Sequence, residues 1–226
     1  MDAFLSFHAA GFWLVIALLA GVVVLGVRPY LPPAVRAWSM IGYWALLPYL
    51  ALITGGVSPQ LMGVLYIDWR TSLTLGVGLA LALVALAGVA RISLLADNRA
   101  ADDAASSAQG WSALTSGIGV SGVEEWFWCF LRGAVEETLL LAQFSLNVPA
   151  YWSIWIAAML ALPFTLLQQP TIYHRLVKAA ILVMTSILFF YTRNFWLCWA
   201  VHAIIWLLLA QPAVATAFTG KSRAQQ

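Results

Sequence analysis

The chain has 226 residues, of which 63% are hydrophobic and only 9% are charged. Soluble domains carry roughly 25% charged residues, so this composition excludes an ordinary soluble globular protein and predicts an integral membrane protein. We expect a multi-pass protein of the cell (inner) membrane. The net charge of +2 gives no reason to expect a nucleic-acid partner. The partners that we expect are the lipid bilayer and other membrane proteins.

About seven apolar segments are long enough to cross a bilayer, and they predict an all-α fold, a polytopic helical membrane bundle. The first three lie at about 11–28, 38–55 and 72–95. The fourth is predicted to begin at Ser121, which forms a capping box with Glu124, and to end at the turn Asn147-Val148-Pro149. The last three cover about 150–169, 176–191 and 195–211.

A polar segment of small residues, ADNRAADDAASSAQG, divides these spans into two groups and is typical of an exposed linker. We expect three N-terminal transmembrane helices within residues 1–95 and a cytoplasmic linker at 96–119. A four-helix membrane core at 120–212 and a cytoplasmic tail at 213–226 complete the predicted organisation.

The distribution of Lys and Arg predicts that the N-terminus lies outside and the C-terminus lies in the cytoplasm. In this orientation only Arg70 and Arg193 face out, and Arg132 lies within the fourth span. The cations assigned to the cytoplasmic side are Arg28, Arg36, Arg91, Arg99, Arg175, Lys178, Lys221 and Arg223.

The fourth span contains all four glutamates of the chain, as one pair on each side of Arg132. A charged side chain at the centre of a bilayer helix costs on the order of 3 kcal/mol, so these residues need partners. Glu124 is interpreted as a capping residue and Glu125 as an interfacial carboxylate near the positive end of the helix.

Helical spacing places Glu125, Cys129, Arg132 and Glu136 on one face of this helix. Arg132 and Glu136 are four residues apart and are predicted to form a structural ion pair. Glu137 lies beside this stripe and has no local partner of opposite charge. The glutamate pair 136–137 is therefore a candidate functional site.

The seventh span carries His202 about 12 Å from its outer end at 1.5 Å per residue. Glu136 falls at a similar predicted depth, so His202 and the 136–137 pair are expected to share one site. Gln168 and Gln169, at the end of the fifth span, are expected to lie deeper than Glu136.

Three segments in order, GAVEETLLLAQF, PFTLLQQP and YTRNFWLCWAVHAIIW, resemble the CPBP family of intramembrane proteases (CAAX-prenyl-protease and bacteriocin-processing, or Abi). That family carries the motifs EExxxR, FxxxH and HxxxN on successive core helices. The resemblance covers roughly residues 120–212 and implies catalytic roles for Glu136, Glu137 and His202. A glutamate of the family activates water, and the histidines and asparagine position the water and stabilise the oxyanion.

Three motif positions depart from the family pattern. The arginine position is Leu141, the second-motif histidine position is Gln168 after a matching Phe164, and the asparagine position is Trp206. Gln168 can donate an amide hydrogen bond but cannot act as a base, and Trp206 donates one N–H and accepts nothing. These departures favour a fold that is retained without its chemistry.

The favoured interpretation is a catalytically inactive accessory or scaffold subunit that binds another membrane protein or complex. One alternative is an active glutamate-dependent intramembrane endopeptidase of the CAAX-processing type. A second alternative is a pigment- or lipid-like cofactor-binding subunit, with His202, His8 or His174 as an axial ligand. The sequence names no cofactor and predicts no metal site.

Overall fold

The structure, a computed structural model, describes residues 6–96, 111–142, 146–169 and 171–210. Every regular element in these ranges is helical, so the predicted all-α fold class is confirmed. A short 3₁₀ turn, Arg28–Tyr30, separates the first two α-helices. The α-helices are α1 (Ala10–Val27), α2 (Pro33–Ile53), α3 (Trp69–Ala96), α4 (Trp111–Leu141), α5 (Pro149–Leu166), α6 (Ile172–Thr192) and α7 (Phe195–Ala210).

Four segments among the described residues are long and apolar enough to cross a membrane. They are Ala10–Tyr30, Trp69–Ser93, Pro149–Leu166 and Ile172–Thr192. α2 and α7 contain shorter apolar stretches, Trp38–Ile53 and Phe195–Leu209, and α4 carries the buried charges. The seven helices fall where the apolar segments predict them, whereas the number that cross the bilayer and their orientation stay predictions.

Helix α4 is the central element of the bundle. It packs against α1, α2, α5 and α7, and α3 packs on the outside against α6 and α7. With 31 residues, α4 is the longest of the described helices, and it extends about 46 Å at 1.5 Å per residue. Its residues 127–136 are buried on every side. Arg132 and Glu136 in this stretch, and Glu124 and Glu125 before it, are therefore buried inside the protein.

The predicted start of α4 at Ser121 is wrong, because the described helix already includes residues from Trp111 onwards. The hydroxyl of Ser121 is buried and makes no hydrogen bond, so no capping box forms. The glycine that follows Ser121 allows close packing at this point of the helix. A Cβ added at Gly122 would lie 2.7 Å from the indole nitrogen of Trp199 on α7, which shows how closely the two helices approach.

The predicted linker also reaches too far along the chain. Residues 97–110 lie outside the described residues, but 111–119 belong to α4. The predicted tail at 213–226 lies outside the described residues as well. The N-terminal helices share one hydrophobic core with the rest, since side chains of α1 and α2 pack against α4. Tyr43 of α2, for example, lies 5.0 Å from Phe127 of α4 between ring centroids.

The connection between α2 and α3 folds back against the turn between α6 and α7. The amide of Phe195 donates to the carbonyl of Gly63 at 2.9 Å. Gly63 has φ +68°, and a Cβ there would lie 2.6 Å from the carbonyl oxygen of Arg193. Glycine is required at this position because both the backbone conformation and the space exclude a side chain. This contact holds Arg193 over the end of α4.

Candidate functional site: a buried Glu–Lys–His–Arg centre

Five ionisable side chains from three helices meet in the interior of the bundle. Each is at most 2% exposed. We call this cluster the buried centre. Its members are Glu124, Glu125 and Arg132 of α4, Lys178 of α6 and His202 of α7.

Glu125 joins two of the helices by accepting from two donors. The Nη1 of Arg132 donates to its Oε1 at 2.7 Å. The Nδ1 of His202 lies 3.1 Å from its Oε2. Because a carboxylate accepts only, the Nδ1 of His202 is the protonated ring nitrogen in this contact.

Lys178 completes the centre on the opposite side of the His202 ring. Its ammonium donates to Glu124 Oε2 and lies 3.1 Å from the Nε2 of His202. Its Nζ also lies 4.0 Å from the centroid of the Trp206 ring, a favourable cation–π distance. The imidazole is stacked on Trp128 with 4.8 Å between centroids. His202 is therefore held as a neutral ring that donates to Glu125 and accepts from Lys178.

The second terminal nitrogen of Arg132 is also bonded inside the protein. Its Nη2 donates to the hydroxyls of Thr185 and Ser186, each at 3.2 Å. The guanidinium also lies 5.0 Å from the centroid of Phe189. With a neutral His202, two carboxylates balance one guanidinium and one ammonium, which lowers the cost of burying these charges.

The predicted ion pair between Arg132 and Glu136 is wrong, although both residues lie on the predicted stripe. Arg132 turns towards Glu125 and also contacts the sulfur of Cys129 at 3.5 Å. Long side chains on a helix point back towards its N-terminus, so Arg132 reaches residues that precede it.

Glu136 and Glu137 do not join His202. Glu136 pairs with Arg193, whose Nη1 lies 2.5 Å from its Oε2. Glu137 accepts from the backbone amide of Ser58 at 2.9 Å. Twelve residues separate Glu136 from Glu124, which is about 18 Å along the helix axis. The site predicted from Glu136, Glu137 and His202 therefore does not form in this structure.

The reason for this difference is the offset between α4 and α7. Glu136 is level with Arg193, which precedes the first residue of α7. His202 therefore lies about seven residues deeper, or roughly 10 Å at 1.5 Å per residue. Counting from predicted helix ends could not reveal this, because Arg193 belongs to a turn with φ +48° rather than to the helix.

The departed motif positions have different surroundings. Leu141 is exposed, at the end of α4. Gln168 donates to the carbonyl of Phe164 at 2.6 Å. Gln168, Trp206 and Glu124 line one cavity of about 220 Å³. Gln168 was expected to lie deeper than Glu136. In the structure it lines the same cavity as Glu124, which precedes Glu136 by twelve residues on α4.

Lys178 is the member of the centre that sequence reasoning missed, because it was counted as a cytoplasmic cation. The structure buries it to 2% exposure. The available signal was the excess of glutamates over cations in the fourth span, which demands a second cation from another helix. Glu124 was likewise interpreted as a cap, whereas it is the carboxylate that binds Lys178.

The other two histidines lie away from the centre. His8 is exposed and its Nδ1 is 2.7 Å from the carbonyl of Thr54. His174 contacts the hydroxyl of Thr171 at the start of α6, with 2.6 Å between Nδ1 and Oγ1. Both ring nitrogens of His202 have protein partners, so it has no free nitrogen for axial ligation in this conformation.

The described part of the chain is therefore a helical bundle in which four helices are long and apolar enough for a membrane, built around a charge-paired centre. Comparisons of the chain with protein-family models, with curated proteins and with solved structures find no match.

Proposed function

We propose that this chain is a multi-pass protein of the cell (inner) membrane with a CPBP-protease-like core and no peptidase activity. It acts as an accessory or scaffold subunit that binds another membrane protein. In this proposal the seven helices cross the bilayer with the N-terminus outside and the C-terminus in the cytoplasm, as the distribution of Lys and Arg favours.

The observation that carries the proposal is the internal pairing of the buried centre. Hydrolysis needs a carboxylate free to take a proton from water and donors free to stabilise an oxyanion. The donors of Arg132 and His202 are directed at Glu125 and at hydroxyls of α6. Lys178 is directed at Glu124, His202 and the Trp206 ring. A centre bonded in this way stabilises helix packing rather than a transition state.

A groove between α4 and α7 offers a surface for a partner helix. Its volume is about 350 Å³. Gly119 lines this groove, and a Cβ added there would contact nothing within 4 Å. Small residues allow a second helix to approach closely in a membrane, and aromatic rings supply contact area. The other residues lining this groove are Gly122, Val123, Trp126, Phe195, Trp196 and Trp199.

The first test compares two tryptophans of similar exposure. Trp196 lies in the groove and is 44% exposed, whereas Trp152 lies on α5 and is 45% exposed. Photo-crosslinking from a reactive residue at position 119 in intact membranes identifies the partner. We expect Trp196→Ala to reduce the crosslink and Trp152→Ala to leave it unchanged. Equal yields from both variants would remove the groove from the proposal.

A second pair of variants fills space instead of removing it. Gly119→Leu places a side chain in the groove, and Gly78→Leu on α3 makes the same change where a Cβ also contacts nothing within 4 Å. Stoichiometric co-purification in mild detergent should be lost with Gly119→Leu and kept with Gly78→Leu. A monodisperse monomer that cleaves peptide substrates would contradict the proposal as a whole.

One observation favours the alternative of a glutamate-dependent intramembrane endopeptidase. The Oε1 of Glu124 has no hydrogen-bond partner, although the residue lines a cavity. An active enzyme would therefore use Glu124 as its base, with Glu136 and Glu137 in structural roles. Peptide cleavage that is kept with Glu137→Gln and lost with Glu124→Gln, under conditions in which tryptophan fluorescence shows the Glu124→Gln protein to be folded, would establish this alternative. We expect no cleavage from the wild-type protein.

A further inference from the structure

The cavity beside the buried centre reaches Glu124 from one end of the bundle. It is bordered by Arg28, which follows α1, and by Gln168 and Gln169, which follow α5. Its volume is about 220 Å³, several times the roughly 30 Å³ of a water molecule. The walls between these ends are apolar or aromatic and are formed by Met40, Ile41, Trp44, Val120 and Trp206.

The inner end of the cavity is suited to a ligand group that donates a hydrogen bond. Glu124 is 1% exposed, and its Oε1 has no partner while its Oε2 binds Lys178. A buried carboxylate oxygen without a donor is costly, so a ligand that supplies an O–H or N–H is favoured there. The ammonium of Lys178 repels a second cation at this position. A neutral hydroxyl therefore fits better than an amine.

The outer end of the cavity is suited to an anionic ligand group. The Nε of Arg28 is buried and has no hydrogen-bond partner. Arg36 lies next to it, since its Nη2 donates to the carbonyls of Pro29 and Leu31, each at 3.2 Å. Arg36 does not line the cavity, but its positive charge adds to that of Arg28, and a guanidinium group is typical of phosphate recognition. The charged residues lining the cavity, Arg28, Lys178 and Glu124, also sum to a net positive charge.

We propose that this cavity binds a polyol phosphate, in the form of the glycerol-phosphate headgroup of a phospholipid. A headgroup hydroxyl donates to Glu124, the phosphate lies against Arg28, and the carbon chain between them packs against Trp44 and Trp206. The cavity opens at helix ends, which is where lipid headgroups lie around a membrane protein. The inference does not depend on whether the chain binds a protein partner.

The test compares two lipids of equal charge. Phosphatidylglycerol carries headgroup hydroxyls, whereas phosphatidylmethanol has the same phosphodiester and none. Purified protein is exchanged into mixed micelles of each lipid, and native mass spectrometry counts the retained lipids. A hydrogen bond to a charged acceptor corresponds to roughly tenfold in affinity, so we expect phosphatidylglycerol to be retained about tenfold more strongly. Equal retention of the two lipids would overturn the proposal.

Two variants test whether the preference for phosphatidylglycerol arises in this cavity. Arg28→Gln should weaken the binding of both lipids, because it removes the phosphate contact. Val120→Phe should abolish the preference for phosphatidylglycerol by filling the cavity without changing any charge. Arg70→Gln, which removes an exposed cation at the opposite end of the bundle, is the matched control and should change neither. If all three variants bind like the wild type, the cavity is not the site.

A final experiment distinguishes a lipid headgroup from a soluble polyol phosphate as the ligand. Glycerol 3-phosphate is added to delipidated protein, and the thermal unfolding temperature is measured with inorganic phosphate as the control. A rise with glycerol 3-phosphate that is absent in Val120→Phe supports polyol phosphate recognition from solution. A rise of the same size with inorganic phosphate, together with equal retention of the two lipids, would reduce the site to a simple anion contact.

Discussion

At the scale of single residues, burial decides how much each ion pair contributes. Arg132 and Glu125 are 1% and 0% exposed in their side chains, whereas Arg193 is 33% exposed in its pair with Glu136. Water screens a partly exposed pair, but a buried charge that loses its partner has no substitute. The two glutamates look alike in sequence and contribute very differently to stability.

We expect Glu125→Gln to lower the free energy of unfolding by about 3 kcal/mol or more, since it leaves Arg132 buried without a counter-charge. Glu136→Gln should cost only about 1 kcal/mol, because Arg193 keeps contact with solvent. Equilibrium unfolding in mixed micelles, followed by tryptophan fluorescence, measures both variants. Equal losses for the two substitutions would show that this ranking by burial is wrong.

Asp68 provides a pH-dependent contact at the residue scale. Its carboxylate accepts from the hydroxyl of Thr71 at 2.6 Å and from the backbone amide of Thr71 at 3.2 Å, at the first turn of α3. Both bonds hold the pKa of Asp68 below its ordinary value, and the bond from the Thr71 hydroxyl has the larger effect. Because the folded-state pKa is lowered, the contact is complete above the ordinary pKa and is lost as pH falls through the lowered one.

An NMR titration of selectively labelled aspartate tests this contact. The Asp68 midpoint should lie below the ordinary aspartate range in the wild type and move up in Thr71→Ala, which removes the hydroxyl donor. Thr74→Ala serves as the control, because its hydroxyl donates to backbone carbonyls and not to Asp68. An unshifted midpoint in Thr71→Ala would mean that the hydroxyl does not perturb Asp68.

At the scale of the helices, close approach of α4 and α7 depends on one glycine. A Cβ at Gly122 would lie 2.7 Å from the indole nitrogen of Trp199, which itself donates to the carbonyl of Ile118 at 3.1 Å. Gly119, one turn earlier, has free space around it. Substitutions at these two positions therefore distinguish the effect of packing from the effect of helix propensity on the same helix.

Gly122→Ala should destabilise the protein, because the indole must move and lose its hydrogen bond. Overpacking of this kind costs about 1–3 kcal/mol. Gly119→Ala should be neutral or stabilising by up to about 1 kcal/mol, since alanine is the better helix former. Thermal unfolding of the two variants under identical detergent conditions gives the comparison. A Gly122→Ala protein as stable as Gly119→Ala would contradict the close packing of α4 on α7.

The helices themselves were largely predictable, but their ends and offsets were not. Apolar runs bounded by Pro and Gly predict all seven helices, because that pattern follows from local sequence. The extension of α4 back to Trp111 was missed, since Ser121 and Glu124 mimic a capping box, whereas Glu124 binds Lys178 of another helix and the Ser121 hydroxyl has no hydrogen-bond partner. The local sequence determines the spacing of residues along one helix, but it does not determine how far one helix is shifted along its neighbour.

At the scale of the whole molecule, the bundle surrounds the five charged or ionisable side chains of the buried centre with helices instead of exposing them. α4 contributes three members of the buried centre, and α6 and α7 contribute one each. The centre links helices that are distant in sequence, so its pairing stabilises the bundle as a unit. The sequence predicted that intramembrane charges need partners but not which ones, because the choice depends on Lys178 meeting Glu124 across 54 residues of chain.

The central claim is that the charges of the buried centre stabilise the bundle as mutual partners. A double-mutant cycle with Glu124→Gln, Lys178→Met and the double variant tests it most directly, by unfolding in mixed micelles. We predict that each single variant loses about 3–5 kcal/mol and that the double variant loses much less than their sum. Additive losses, with no coupling between Glu124 and Lys178, would contradict the account.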